Sequence, residues 1–203
     1  NAGVIADNVG DNVGGGGTAD STHLLAEATS QGLSGDKSLL LTLFDPTNVQ
    51  VCISAGVGST ITLKVGAGTD RLHGEPIEVT ANIRAITDGK FEEPKPTHGG
   101  LRFFDYGPSV ALDTEAGHTI VLHIVRGIGN MSREQYYSIG IRPEEYRVII
   151  CKGTVSPRAA YEPISREIIM ANSPGVTSAN MSSFSYENRR TPLYPFELDT
   201  TFD

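Results

Sequence analysis

The chain lacks the features that mark several large classes of protein. It has two cysteines, Cys52 and Cys151, set far apart and each inside an apolar run, Val-Cys-Ile and Ile-Cys-Lys. Two distant thiols make neither a secreted disulfide framework nor a zinc knuckle. They are expected to be buried as small hydrophobes in a reducing, cytoplasmic compartment. No apolar run approaches the roughly 18 residues of a membrane span, so no membrane contact is expected. Positive charge is scarce: 16 Lys and Arg stand against 24 Asp and Glu, a formal net charge of −8. That balance argues against a nucleic-acid partner, which requires a positive field. The pair Arg189-Arg190 is too small to reverse it.

Catalytic signatures are missing too. The histidines His23, His73, His98, His118 and His123 form no His-Glu-x-x-His pair. His118 and His123 lie five apart along one predicted strand and so point to opposite faces. There is no Gly-x-Ser-x-Gly. The chain opens on Asn1 and runs almost at once into strand-like Gly3-Val4-Ile5-Ala6, the expected look of a piece of a longer protein.

What is present suits one folded domain over residues 1–203. Hydrophobic residues make up 38% and charged residues 20%. A chain of this length buries roughly 70% of its unfolded surface and needs no disulfide to fold. Gly3–Ala6 predicts a strand, followed by a glycine-rich loop, Asp11-Asn12-Val13-Gly14-Gly15-Gly16-Gly17. His23–Ala28 predicts a helix with Asp20 or Ser21 as its cap. Leu39–Phe44 is a continuous apolar run, the pattern of a strand buried on both faces. Asp45-Pro46-Thr47 starts a second helix that ends before Gly56. This strand–helix–strand–helix order implies a parallel sheet.

The middle of the chain differs. Ser59–Val65 and Ile77–Ile86 alternate, with Asp88-Gly89 as a turn. Residues 91–100 are rich in Pro and Gly and predict a loop, with strands after it at 101–104, 109–112 and 119–125. Short helical stretches at 133–139 and 159–165 surround a buried strand at 147–152, and 167–171 is a last strand. Residues 173–203 predict an extended tail. The expected fold class is α/β: a mixed sheet with a βαβ start and flanking helices, an antiparallel β section and an extended C-terminal tail.

A loop between a strand and a helix gathers backbone amides and the positive helix end around an anion. Here it matches neither nucleotide signature: no Lys follows the glycines as in a P-loop, and position 19 lacks the third glycine of a dinucleotide fingerprint. Asp7, Asp11 and Asp20 surround it, and carboxylates suit a cation better than a phosphate. The plain alternative is that these residues fix turns and cap a helix. Arg158 follows a predicted buried strand, a position where functional residues gather, and its planar fork suits a carboxylate.

Three segments together resemble the C-terminal domain of the microcystinase-C-like (MlrC-type) zinc metallopeptidases. The first is Asp11-Asn12-Val13-Gly14-Gly15-Gly16 with Asp20-Ser21-Thr22. The second is Val148–Gly153 running to Ser156-Pro157-Arg158-Ala159-Ala160-Tyr161. The third is Ser173-Pro174-Gly175-Val176-Thr177 with Pro192-Leu193-Tyr194-Pro195. The order and spacing hold over nearly the whole chain. The resemblance implies a zinc-dependent peptidase acting on small or linear peptides, with most zinc ligands on an N-terminal domain outside this chain. That domain would be the principal partner, and a homo-oligomer is compatible with it. Carried onto this sequence, the resemblance makes Asp11 the candidate metal ligand, with Asp7 as the alternative. Arg158 is the candidate catalytic residue, and Asn12, Gly14, Gly15, Gly16 and His98 are candidates for substrate contact. Many relatives have a His where this chain has Val155. The isolated chain is expected to be inactive. The rival reading is a non-catalytic module that uses the glycine-rich loop to bind an anion or a partner.

Overall fold

The structure, a computed structural model, describes residues 3–95 and 97–201. Strand β1 (Val4–Asn8) leads through two 3-10 turns, Val9–Asp11 and Val13–Gly15, into helix α1 (His23–Ser30). Strand β2 (Leu39–Phe44) and helix α2 (Pro46–Ala55) follow. The start of α2 is encoded locally. Asp45 accepts from Asn48 N at 3.1 Å, Pro46 fills the first turn, and Gly56 ends the helix at φ 84°.

Strands β3 (Thr60–Val65), β4 (Ile77–Thr87) and β7 (Ser109–Thr114) build the antiparallel side, joined to the parallel strands through β8 (His118–His123). The hairpin of β5 (Lys90–Glu92) and β6 (Phe103–Asp105) stands apart from them. Helix α3 (Glu134–Tyr137), strand β9 (Val148–Cys151), helix α4 (Arg158–Tyr161) and strand β10 (Glu167–Ala171) complete the chain before the tail.

Among the described residues one eight-stranded sheet runs β10-β1-β9-β2-β8-β7-β4-β3. The strands from β10 to β8 are parallel; β7, β4 and β3 are antiparallel. Leu39–Leu43 is buried at every position, as expected of a strand covered on both faces. Leu39, Leu41 and Leu43 join Leu25 of α1 and Val49 and Cys52 of α2 in one core. Leu40 faces the other way, with Ile5, Ile149, Tyr136 of α3, and Ala160 and Tyr161 of α4.

Those two cores define the feature that matters for function. The connection from β1 to β2 passes over one face through α1. The connection from β9 to β10 passes over the opposite face through α4. β1 and β9 are neighbours, so the chain leaves them toward opposite faces. This is a topological switch point, where open α/β sheets leave a crevice at the carboxyl ends of their strands.

Two local expectations fail. Residues 91–100 are not all loop: Phe91 belongs to β5 and stacks on Phe104 at 4.9 Å and on Tyr106 at 5.3 Å, which gives the short hairpin a packed side. Neither Asp20 nor Ser21 caps α1. The cap position is Thr22, with no side-chain cap bond, because Asp20 is already bound by the Thr18 hydroxyl and by Thr69 N at 2.9 Å.

Candidate functional site at the carboxyl edge of the parallel strands

The glycine loop, residues 152–154 after β9 and residues 173–177 of the tail, each from one of the segments that carry the family resemblance, meet at the carboxyl end of β1. Val13 N donates to Lys152 O at 3.4 Å, and Asn12 Nδ2 to Thr154 Oγ1 at 3.4 Å, which joins the glycine loop to the segment after β9. On the other side, Asn12 N donates to Thr177 Oγ1 at 2.9 Å, and Thr177 Oγ1 donates to Val9 O at 2.8 Å. Gly10 N donates to Ser173 Oγ at 3.1 Å. The opening stretch of the tail, 173–177, is therefore a wall of the loop.

The glycines serve this self-contact. A Cβ on Gly10 would lie 2.2 Å from Pro174 O, and one on Gly17 would lie 2.7 Å from the Asp11 carbonyl carbon. The loop amides point inward. Gly14 N donates to Asn12 Oδ1, Gly15 N and Gly17 N to Asn12 O, and Gly16 N to Val13 O. The expectation that the backbone of Gly14, Gly15 and Gly16 offers donors to a ligand is corrected here: each amide is already matched within the loop. Gly14, Gly15 and Gly16 remain exposed and allow a ligand to come close.

Asp11 also turns inward, against the expectation of a carboxylate facing a cation across an open loop. It is fully buried. Oδ1 accepts from Ala19 N at 2.7 Å and Oδ2 from Ser21 N at 2.8 Å. Lys152 Nζ lies 3.2 Å from Oδ2 and donates to Ser21 O at 2.6 Å. His73 Nε2 lies 3.9 Å from Oδ1, while its Nδ1 meets Asp70 Oδ1 at 2.9 Å. The Asp11 bond to Ala19 N also holds Ala19 at φ 66°, in the left-handed region that a Cβ disfavours. Asp11 and Lys152 thus form a charged knot beneath the loop, and His73 lies against it with Nε2 buried and without a hydrogen-bond partner.

Other side chains are left unmatched. Asp7, at the carboxyl end of β1, is fully buried, and neither of its oxygens has a hydrogen-bond partner. Burial pushes its carboxyl up to about 6, and the nearby Arg158 guanidinium pulls it down in part. Arg158 opens α4 half-buried, with its Nε buried and without a partner. Val155, in the loop between β9 and α4, is 69% exposed. His98 is exposed on the turn after Thr97. Its segment is tied to the body through Thr97 Oγ1, which donates to Met131 O at 3.1 Å; among the described residues His98 makes no bond to the glycine loop.

Among the described residues no three His, Cys, Asp or Glu side chains are grouped to hold a metal ion. With both Asp11 oxygens occupied, a zinc ion held by this chain alone does not fit the residues present. Sequence reasoning placed Asp11 and Arg158 at one edge and weighed Lys152 as a candidate without pairing it to Asp11; it missed His73. Asp70, three residues before His73, was the available signal for an oriented imidazole. For Lys152 the signal was a lone cation directly after an apolar strand.

Microcystinase C of Sphingomonas sp. is 26% identical over 195 residues; the match covers 96% of this chain and 36% of that protein. A crystal structure from Mesorhizobium sp. BNC1, whose name gives metallopeptidase as an inferred assignment, superposes with a TM-score of 0.85. At 20% identity it covers 99% of this chain and 39% of that one, and it shows the fold alone. The chain therefore spans little more than a third of the length of these relatives. The family model described as MlrC C-terminus matches residues 5–188, and the chain belongs to that family.

Proposed function

We propose that the chain is the C-terminal part of a zinc-dependent peptidase that hydrolyses amide bonds in small or linear peptides. Its site would form where the β1–β9 crevice meets a preceding domain that carries the metal ligands. One observation carries this reading: stretches of the three family segments, far apart in the sequence, meet at the loop that borders the switch-point crevice. The likeness to microcystinase C and its greater length support a partner domain in the same polypeptide. Sites between domains are a usual arrangement.

The zinc would supply Lewis acidity at the scissile carbonyl. This chain's residues have other work. Asp11 and Lys152 fix the glycine loop as a rigid wall, the exposed glycines let a peptide lie close, and Arg158 offers a cation at the rim. The anion-binding module is the weaker reading, because the loop amides that would form its nest are matched internally.

The test uses the longer protein that includes this domain. Metal content and peptide hydrolysis are measured for wild type, Asp11→Asn and Arg158→Ala, beside the 203-residue chain. Zinc near one per chain in wild type and in Arg158→Ala, with slower hydrolysis in the latter and none by the short chain, is the expected result. Hydrolysis by the short chain at the rate of the longer protein, or a longer protein free of zinc and inert toward peptides, would overturn the reading.

A further inference from the structure

The two faces of the parallel strands are covered unequally, and the register shows where the cover stops. On the face packed by α3 and α4, one row of paired residues runs Ile168, Ile5, Ile149, Leu40 from β10 to β2. Ile5, Ile149 and Leu40 are buried, and Ile168 packs against the same core. On the face packed by α1, the matching row runs Ile169, Ala6, Ile150, Leu41. Leu41 and Ile150 are buried, Ala6 is half-buried and Ile169 is 46% exposed. A second row on that face, Val4, Val148 and Leu39, opens in the same order, with Leu39 alone buried.

Beyond α1 these rows end in a groove of about 660 Å3, floored by Val4, Ala6 and Ile169 and walled by Leu24 and Ala28 of α1. The bare strands, β1 and β10, are together about 10 Å wide. That is the diameter of one α-helix with its side chains. Small residues at Ala6 and Ala28 let a helix axis come close, since interaxial distance follows the side chains at the contact. Glu27, Gln31 and Arg147 give the groove a polar rim.

The length of the relatives and tethering together choose the occupant. This chain matches 36% of microcystinase C, and the matching family model is that of a C-terminus, so a longer upstream stretch accompanies this domain in that protein. Gly3 is clamped at the amino end of β1. Its N donates to Tyr146 O at 3.0 Å, and its carbonyl accepts from Arg166 N at 3.1 Å. Val4, the next residue, belongs to the groove floor. An upstream segment therefore meets the domain at the mouth of the groove. A short tether holds a segment at about millimolar effective concentration, which favours it over a second copy of the chain.

We propose that the groove seats one amphipathic helix of the upstream polypeptide, antiparallel to β1, with its apolar stripe on Val4, Ala6 and Ile169. About two to three turns match the stretch of α1 from Leu24 to Gly32 beside it. The proposal rests on the longer polypeptide of the functional reading, and on neither zinc nor peptide hydrolysis.

Thiol labelling tests it, because Cys52 and Cys151 are buried and leave an introduced surface cysteine to report. Ile169→Cys on the floor, Gln31→Cys on the rim and Val57→Cys on the exposed turn between α2 and β3 are made in the 203-residue chain and in the longer protein. Modification of each site by N-ethylmaleimide is followed by peptide mass spectrometry. In the short chain all three should react freely, at rates that do not change as its concentration is raised. In the longer protein Ile169→Cys and Gln31→Cys should react at least about tenfold more slowly, with Val57→Cys unchanged. There Ile169→Lys should also speed hydrogen exchange in one upstream stretch of helical length.

Equal rates at Ile169→Cys in the two proteins overturn the proposal. So does slowing of all three sites by one factor, or an Ile169→Lys that speeds exchange in no upstream helix. Protection of Ile169→Cys without Gln31→Cys, the pattern of a strand added to the β10 edge, overturns it as well. Slowing in the short chain as concentration rises assigns the groove to a second copy and has the same result. Labelling is read without metal or activity. A longer protein inert toward peptides therefore leaves the groove result standing, and a failed labelling pattern leaves the peptidase reading in place.

Discussion

Lys152 holds a positive charge where no water reaches it, and Asp11 makes that burial tolerable. Breaking a buried pair by removing one partner costs about 3–5 kcal/mol, because the other charge is left uncompensated. Asp11→Ala also strips acceptors from Ala19 N and Ser21 N. Urea unfolding should show a loss of about 3–5 kcal/mol for Asp11→Ala, partly recovered in Asp11→Ala/Lys152→Met. A loss below about 1 kcal/mol would mean that the knot is not the internal brace inferred from its geometry. Asp7 presents the opposite case. Its carboxyl is raised from 3.8 to about 6, so the folded chain holds that proton more tightly than the unfolded one. The contribution is present below about pH 4 and is lost as pH rises through about 6. Asp7→Asn should therefore stabilise the chain above pH 7, by up to about 3 kcal/mol, and by little near pH 4. Urea midpoints at the two pH values test this, and an equal gap at both would rule out charge as the cause.

At the level of elements, the sequence was readable wherever the signal was local. The run Leu39–Phe44 and the unit Asp45-Pro46 to Gly56 fell where their composition placed them, because burial on both faces and helix capping are short-range effects. The hairpin of β5 and β6 was hidden, since Phe91 needs Phe104 and Tyr106 to form a packed side, and Pro and Gly dominate the stretch between. The glycine run was legible as a loop and misleading as to its reason. A run of glycines beside a strand suggests approach by a ligand, but Gly10 and Gly17 give way to the protein's own backbone, part of it from residues 173 and 174. Gly10→Ala would place a Cβ 2.3 Å from Ser173 O, so one side must move. The expected outcome is release of the 173–177 segment, with faster hydrogen exchange at the Thr177 amide and a loss of about 1–3 kcal/mol. Unchanged exchange at Thr177 would show that the loop yields instead of the tail.

For the molecule as a whole, the βαβα start gave the parallel character but not the strand order. Nothing near β1 announces that β9, from far along the chain, inserts between β1 and β2, or that β10 lies outside β1. That order creates the switch point, so the position of the candidate site depended on long-range pairing that periodicity does not encode. The same order leaves one face of the parallel strands thinly covered. A groove of about 660 Å3 runs between α1 and the sheet, lined by Val4, Ala6, Leu24, Ala28, Val148 and Ile169. Parallel sheets are normally covered on both faces, and here the cover stops at the margin formed by α1, with Ile169 of the edge strand 46% exposed. An apolar patch of this kind attracts amphiphiles even on a chain with a net charge of −8. The 203-residue chain should therefore bind anilinonaphthalene sulfonate in its native state. Ile169→Lys should weaken that binding while shifting folding stability by no more than about 0.5 kcal/mol, since the side chain lies at the groove's open edge. Native-state dye binding that is unchanged by the lysine would place the exposed apolar surface elsewhere, and the groove would then have to be closed in solution by movement of α1 onto β1 and β9.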